Sequence, residues 1–329
     1  MAPYTPSLPL VPTESSFVLL ALLAVLAGIV ILAVAADQFV IGAARVALIK
    51  NVPSLVVGVI IIGFGTSAPE ILVSALAALG DEPDVAVGNI VGSNIANLSL
   101  LLGIGAVIVP LAVDSMTVRR EALMVVGAVV LFGIVVQGGG IGRVEGVVLL
   151  VAMAGALWLI TRTRSSDPLG AETEEFADAT HHRFGPEVVR TVLGLVATVA
   201  AGRMLLWGAL DLADRAGLSA GFVGATLVSI GTSLPELVTV IQSARRSETD
   251  LIVGNLLGSN LFNSLAAGGV VGLIGAPRFD DTSLTTIAAI AAVVVAVLAA
   301  LAMRTNFRVA RVEGALLALS YVVIVPLLA

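Results

Sequence analysis

Glu70 and Glu236 each stand inside a long apolar stretch, at the end of two similar hexads, GTSAPE (65–70) and GTSLPE (231–236). An ionised carboxylate near the middle of a bilayer costs at least about 2.5 kcal/mol, so its presence there marks a functional position by default. Pro69 and Pro235 precede them; each removes a backbone donor and disturbs the turn before it, leaving upstream carbonyls without helical partners. Gly65 and Gly231 ease the break, and irregular backbone at this depth is tolerable only where it lines a cavity or packs in protein. Thr66 and Ser67 lie four and three residues before Glu70 and share its helical face, as Thr232 and Ser233 do for Glu236.

A second pair of motifs follows. Asn89, Ser93 and Asn97 are spaced by four, as are Asn255, Ser259 and Asn263, giving one polar stripe on each of two apolar helices. Gly92 and Gly258 allow neighbouring backbones to approach closely. The assembled donors are oxygens, with no His or Cys among them, which favours Ca²⁺ or Na⁺ over zinc or copper. The plainer reading of either motif alone is a protonated or paired glutamate with Gly, Ser and Asn at ordinary helix contacts; two copies of the whole pattern weigh against it.

The elements that carry these residues are membrane spans. Of 329 residues, 58% are hydrophobic and 12% charged, too little polar surface to cover a soluble globule. A span needs roughly 20 mostly apolar residues. Ten such stretches are read at 17–47, 53–79, 85–110, 121–137, 143–161, 188–214, 219–244, 251–275, 284–303 and 311–328. The N-terminal MAPYTPSLPLVPTESS lacks the basic residues of a cleaved signal, so the first stretch is expected to be retained. The absence of cysteine excludes disulfides, thiolate catalysis and cysteine metal sites. The net charge of −6 sits largely in loops, notably Asp81, Glu82, Asp84 and the segment 167–187. His181 and His182 have no accompanying ligand pattern and read as solvated, and Gly138 to Gly140 reads as a turn.

The chain repeats itself. VGNIVGSNIAN (87–97) matches VGNLLGSNLFN (253–263) at seven of eleven positions, and this pair and the hexads share one offset of 166 residues. The register holds without a gap, so the chain reads as a duplicated unit of five spans, 1–161 and 188–329, joined by a cytoplasmic linker at 162–187. Five is odd, so the second unit enters the membrane from the opposite side and the repeats are inverted. Inverted repeats with a mid-membrane site on broken helices are a recurring plan of secondary transporters. Thirteen Lys and Arg on odd-numbered loops and helix ends, against Arg143, Arg215 and Arg278 on the other side, place both termini outside the cell. The offset also aligns Asp37 with Arg203 and Arg45 with Asp211. The first of these could form a buried pair if spans one and six cross there; equally, each side chain could reach an interface.

GTSAPE and GTSLPE, followed by GNIVGSNIAN and GNLLGSNLFN, resemble the two alpha-repeats of the calcium/cation antiporter superfamily, and most closely its prokaryotic sodium/calcium exchangers. The resemblance covers nearly the whole chain, with repeat motifs at 63–97 and 229–263. It implies an all-α polytopic membrane protein: ten helices in two inverted five-helix repeats, with broken helices at the centre. It implies a multi-pass cell-membrane antiporter, not an enzyme, with Ca²⁺ and Na⁺ as transported ligands, the bilayer as its surroundings, and no cofactor, nucleic acid or protein partner. Cation ligands implied in the first half are Glu70, Ser67, Thr66, the carbonyl of Gly63, Ser93 and Asn97. In the second half they are Glu236, Ser233, Thr232, the carbonyl of Ser229, Ser259 and Asn263. Three Na⁺ per Ca²⁺ is the implied stoichiometry.

The chain departs from some members at Asn97 and Asn263, where the potassium-dependent branch carries an Asp; this argues against potassium cotransport. Proton-coupled members carry GNAxE-like repeats in place of GTSxPE, and Ca²⁺/H⁺ antiport through protonation of Glu70 and Glu236 is the runner-up. The short linker leaves no room for calcium-sensing domains. An acid-base enzyme would need a water-activating geometry that the Asn and Ser stripes do not suggest, and a channel is separated from an antiporter by counter-transport.

Overall fold

The computed structural model describes residues 14–50, 52, 67–115, 117–163, 183–275 and 278–328. Gly63, Gly65, Thr66, His181 and His182 lie outside the described residues, so the expectations placed on them are not met or refuted by it. The helices are α1 (Glu14–Ile49), α2 (Ala68–Leu79), α3 (Pro83–Ile108), α4 (117–136), α5 (Arg143–Thr163), α6 (Phe184–Ala216), α7 (220–246), α8 (Thr249–Ile274), α9 (284–304) and α10 (Arg311–Ile324). Among the described residues, seven of these are long and apolar enough to cross a membrane, and α7, bent by 46° between Thr232 and Leu234, makes an eighth. The chain is therefore an all-helical, multi-pass membrane protein. Two of the ten expected spans fall short by this measure. The described part of the second, α2, has 12 residues, and α4 opens with a π-helical turn at Thr117–Ala122 before its α-helical part, Leu123–Val136. A short antiparallel ladder, Leu111 with Val309 and Ala112 with Arg308, ties the loop after α3 to the one before α10.

Burial decides which helices hold the centre. The apolar windows of α3 and α8 are 83% and 78% buried, against 28% for α1 and 22% for α5. The outer helices instead turn Leu, Val and Ile outward, as along Leu19, Leu22, Leu26 and Val30 of α1, a surface suited to lipid tails. Small residues set the close approaches. Gly103 of α3 meets the Gly314 carbonyl and Ala318 of α10, and Gly269 and Gly272 of α8 meet Leu150 and Gly146 of α5. These two contacts exchange under the 166-residue offset: α3 packs on α10 as α8 packs on α5, and α9 packs on α4 across both halves.

α1 and α6 pack antiparallel along their length, with Gly28 against Leu205, Phe39 against Gly194 and Gly42 against Thr191. That register decides the fate of the aligned charges. Asp37 and Arg203 stand about seven residues apart along the pair, which at 1.5 Å per residue is about 10 Å, and no ion pair joins them among the described residues. The pair considered from the offset does not form, because the helices cross in a different register. Arg45 instead donates to Glu187 at 3.4 Å, where Arg190 also binds at 3.4 Å, and Arg215 pairs with Asp211 within its own helix at 2.7 Å.

Candidate functional site

The two half-helices that carry the glutamates begin in the same way. Ser67 caps α2 with φ −94° and ψ 5°, and Ser233 at the bend of α7 has φ −85° and ψ 9°. Both lie outside helical geometry, each is followed by a Pro in the first turn, and the backbone N–H groups of Ile71 and Leu237 donate to the Ser67 and Ser233 carbonyls at 3.1 Å. A residue without an N–H is tolerated only in this first turn, so Pro69 and Pro235 start new helices at the depth of the site. Glu70 and Glu236 then fall in the first turn of these helices, and a carboxylate at a helix N-terminus is favoured by the helix dipole.

The expected donors that lie among the described residues are buried. Ser67, Glu70, Ser93, Asn97, Ser229, Thr232, Ser233, Glu236, Ser259 and Asn263 are all buried to within 2%. The Ser233 hydroxyl of the second half donates to Glu70 Oε1 of the first at 3.1 Å, and Ser259 donates to Glu236 Oε1 at 3.3 Å. Among the described residues, the second oxygen of each glutamate, Oε2, has no hydrogen-bond partner, nor have the side-chain amides of Asn97 and Asn263 or the hydroxyls of Ser67 and Ser93. Leaving a buried polar atom unpaired costs about 1–3 kcal/mol. These atoms, mostly oxygens, come from both halves, and hard oxygens of this kind are the donors that Ca²⁺ and Na⁺ take. Two carboxylates supply the charge and the rest are neutral. Among the described residues no three His, Cys, Asp or Glu gather to hold a metal in any other way.

Ser229 differs from its companions. Its carbonyl already accepts from the Ser233 backbone N–H at 3.0 Å and lies 3.2 Å from the Thr232 hydroxyl, whose single proton it shares with another acceptor. The Thr232 hydroxyl also reaches Asn89 Oδ1 at 3.1 Å.

Three features were not legible beforehand. Asn97 opens a π-helical turn, Asn97–Leu101, and Asn263 lies in another at the matching place, Phe262–Ala267. Such turns are frequent at functional sites, and nothing in the residue types announces them. Ser74 binds Asn89 at 2.9 Å, a contact fixed only when α2 and α3 pack. Asn94, one position off the polar stripe, donates to Ser264 Oγ at 2.9 Å and so links α3 to α8.

A family model described as sodium/calcium exchanger protein matches residues 20–162 and, again, 187–328. The chain belongs to that family. It thereby belongs to the calcium/cation antiporter superfamily that its alpha-repeats resemble. A putative antiporter CaxA from Alkalimonas amylolytica is 36% identical over 310 residues, covering 92% of this chain and 97% of the relative. A sodium/calcium exchanger, MaX1, from Methanosarcina acetivorans is 26% identical over 287 residues, covering 76% and 82%. The solved structure of the sodium-calcium exchanger NCX_Mj superposes with a TM-score of 0.60 at 28% identity over 93% of this chain and 98% of that one. Membership of this family makes the chain a cation antiporter.

Proposed function

We propose that this protein exchanges Ca²⁺ for Na⁺ by alternating access, and that both ions bind between Glu70 and Glu236. The observation that carries this reading is the meeting of the two halves at the site: Ser233 of one binds Glu70 of the other, and each buried glutamate keeps one oxygen unpaired. Ser67, Ser93, Asn97, Thr66 and the Gly63 carbonyl complete the first half-site; Ser233, Ser259, Asn263, Thr232 and the Ser229 carbonyl complete the second. The Ser229 carbonyl joins once Thr232 turns away from it. Hard carboxylate, hydroxyl and carbonyl oxygens suit both ions.

The architecture we infer is ten spans in two inverted five-helix repeats, 1–161 and 188–329, linked at 162–187. Antiparallel α1 and α6, the exchange of α3–α10 with α8–α5, and the two stretches matched by the family model support it. Both termini are placed outside the cell by the distribution of Lys and Arg. No cofactor and no protein partner are needed for this cycle.

Uptake of ⁴⁵Ca²⁺ into proteoliposomes preloaded with Na⁺, K⁺ or choline tests the reading. Uptake driven by Na⁺ alone is expected; uptake that instead follows a proton gradient without Na⁺ would replace it with Ca²⁺/H⁺ antiport, and flux without counter-transport would make the protein a channel. The stoichiometry is proposed as three Na⁺ per Ca²⁺. Two carboxylates are neutralised by one Ca²⁺ or two Na⁺, and a third Na⁺ on the neutral oxygens leaves one net charge to cross per cycle. That charge is worth about 2.3 kcal/mol per 100 mV, enough to change the calcium gradient at balance more than about tenfold. With the potential clamped by potassium and valinomycin, the balance point is expected to move with voltage; a balance point indifferent to voltage means 2:1.

A further inference from the structure

Asn89, Ser229 and Thr232 are fully buried where α3 meets the bend of α7. The Nδ2 of Asn89 donates to the Glu70 carbonyl at 3.3 Å and to Ser74 Oγ at 2.9 Å, and its Oδ1 lies 3.1 Å from Thr232 Oγ1. The Glu70 carbonyl can only accept, so it fixes which end of the amide carries the N–H groups and turns the oxygen toward Thr232. That oxygen has no proton, so Thr232 is the donor.

The Thr232 hydroxyl has one proton and, among the described residues, two acceptors within hydrogen-bonding distance: Asn89 Oδ1 at 3.1 Å and the Ser229 carbonyl at 3.2 Å. That carbonyl also accepts the Ser233 backbone N–H at 3.0 Å. A carbonyl oxygen has two lone pairs. With the Thr232 proton turned to it the carbonyl is full; with that proton turned to Asn89, one lone pair is open to a cation. The change needs only rotation of the hydroxyl. The Glu70 carboxylate stands near the same hydroxyl, and a cation held between carboxylate and carbonyl repels a proton aimed at either one. Such a cation favours the proton on Asn89.

The acceptor is held in place from both sides. Gly88 and Gly92 seat α3 on the first half of α7 so closely that an added Cβ would stand 2.5 Å from the Gly221 carbonyl oxygen and 2.2 Å from that of Ala225. Gly224 of α7 approaches the Val85 carbonyl of α3 in the same way, at 2.7 Å from its own added Cβ. Ser74 and the Glu70 carbonyl then stop the amide from turning over. The seam therefore presents Oδ1 to Thr232 as a fixed acceptor.

We propose that Asn89 is a positioning residue for the second half-site: by taking the Thr232 proton it releases the Ser229 carbonyl and turns an engaged backbone oxygen into a ligand. Asn89 itself is not a ligand. The inference rests on the site proposed above between Glu70 and Glu236. Without an acceptor at position 89, freeing the carbonyl would leave the Thr232 hydroxyl unpaired. That difference is one net hydrogen bond, or about fivefold in affinity.

Equilibrium binding of ⁴⁵Ca²⁺ to the full-length protein in detergent, without Na⁺, tests the proposal. Asn89→Leu keeps the branched shape and cannot accept, and it should raise the Ca²⁺ concentration for half-saturation about fivefold. Repeated on Thr232→Ser, which keeps the hydroxyl, the same change should again cost about fivefold. On Thr232→Val, which has no proton to place, it should cost less than about twofold, the range within which uncoupled positions add. Asn89→Ala runs the same cycle where Asn89→Leu does not fold. A side chain that only fills space between α2, α3 and α7 would cost the same on Thr232→Ser and Thr232→Val. Equal costs on those two backgrounds, or a cost below about twofold with Thr232 in place, overturn the proposal. Unsubstituted protein that shows the expected binding pattern and fails in Na⁺-driven uptake sinks the antiport reading alone. Unsubstituted protein that binds no Ca²⁺ removes the site, and this proposal with it.

Discussion

Segments 87–97 and 253–263 share seven of eleven residues and meet unlike neighbours. Every residue from 85 to 99 is buried, whereas Gly254, Asn255 and Gly258 remain partly exposed. The same holds at the level of single bonds: Ser233 reaches across to Glu70, and its counterpart Ser67 makes no bond to Glu236 among the described residues. Equivalent residues thus carry the same donor chemistry in each copy, while packing gives them different neighbours. A carrier with inverted repeats must be unequal at any one moment if it is to open to one face at a time.

The largest expected effect falls where the halves are chemically equal. Glu70→Gln and Glu236→Gln should each lower Na⁺-driven Ca²⁺ uptake by more than about a hundredfold with the protein still folded. Each removes one of two buried charges that offset Ca²⁺ desolvation, a loss on the scale of about 3–5 kcal/mol. If either variant transports normally, the half-sites are not equivalent and the site assignment fails.

Next come the substitutions that separate the halves. Gly92→Ala places a Cβ 2.2 Å from the Ala225 carbonyl oxygen and should cost about 2 kcal/mol through overpacking, visible as a lowered melting temperature in detergent. Gly258→Ala meets nothing within 4 Å among the described residues and should leave thermal stability unchanged or raise it by up to about 1 kcal/mol, since Ala is the better helix former. Both should slow exchange, because α8 must make the same close approach when its half shuts. Full exchange activity in Gly258→Ala would show that the second copy of the motif never makes the close approach that its twin makes at Gly92.

Smaller still are the neutral ligands. Ser93→Ala and Asn97→Ala should raise the Ca²⁺ concentration for half-maximal uptake by a few fold, water replacing a lost oxygen in part. Asn94→Ala should act differently. It breaks the bond to Ser264 and should cost about 1 kcal/mol of stability with little change in Ca²⁺ dependence. The reverse pattern, with Asn94 setting affinity and Asn97 stability, would put the ligands on the wrong face of α3.

Legibility followed physical range. The glutamates, their prolines and the four-residue stripe were readable because each signal is local: a charge in an apolar run, a missing N–H, a helical period. The charge alignment of Asp37 with Arg203 was readable as a coincidence of offset and misleading as a contact, because helix register depends on glycines distributed over α1 and α6. The π-helical turns at Asn97 and Phe262 arise from packing along α3 and α8 and leave no trace in residue type.

By itself, then, the sequence determined that this chain lives in a membrane, that its motifs recur at one offset, and that Ser, Thr and Asn accompany a buried acid in each copy. Composition, periodicity and an unbroken offset are properties of the chain alone. Tertiary structure decided that Ser233 serves the opposite repeat's glutamate, that Arg45 pairs with Glu187, and that Asn89 binds Ser74 and the Glu70 carbonyl. Those choices depend on which of two near-identical surfaces a neighbouring helix covers, and a repeated sequence, being the same on both sides, cannot state which one that is.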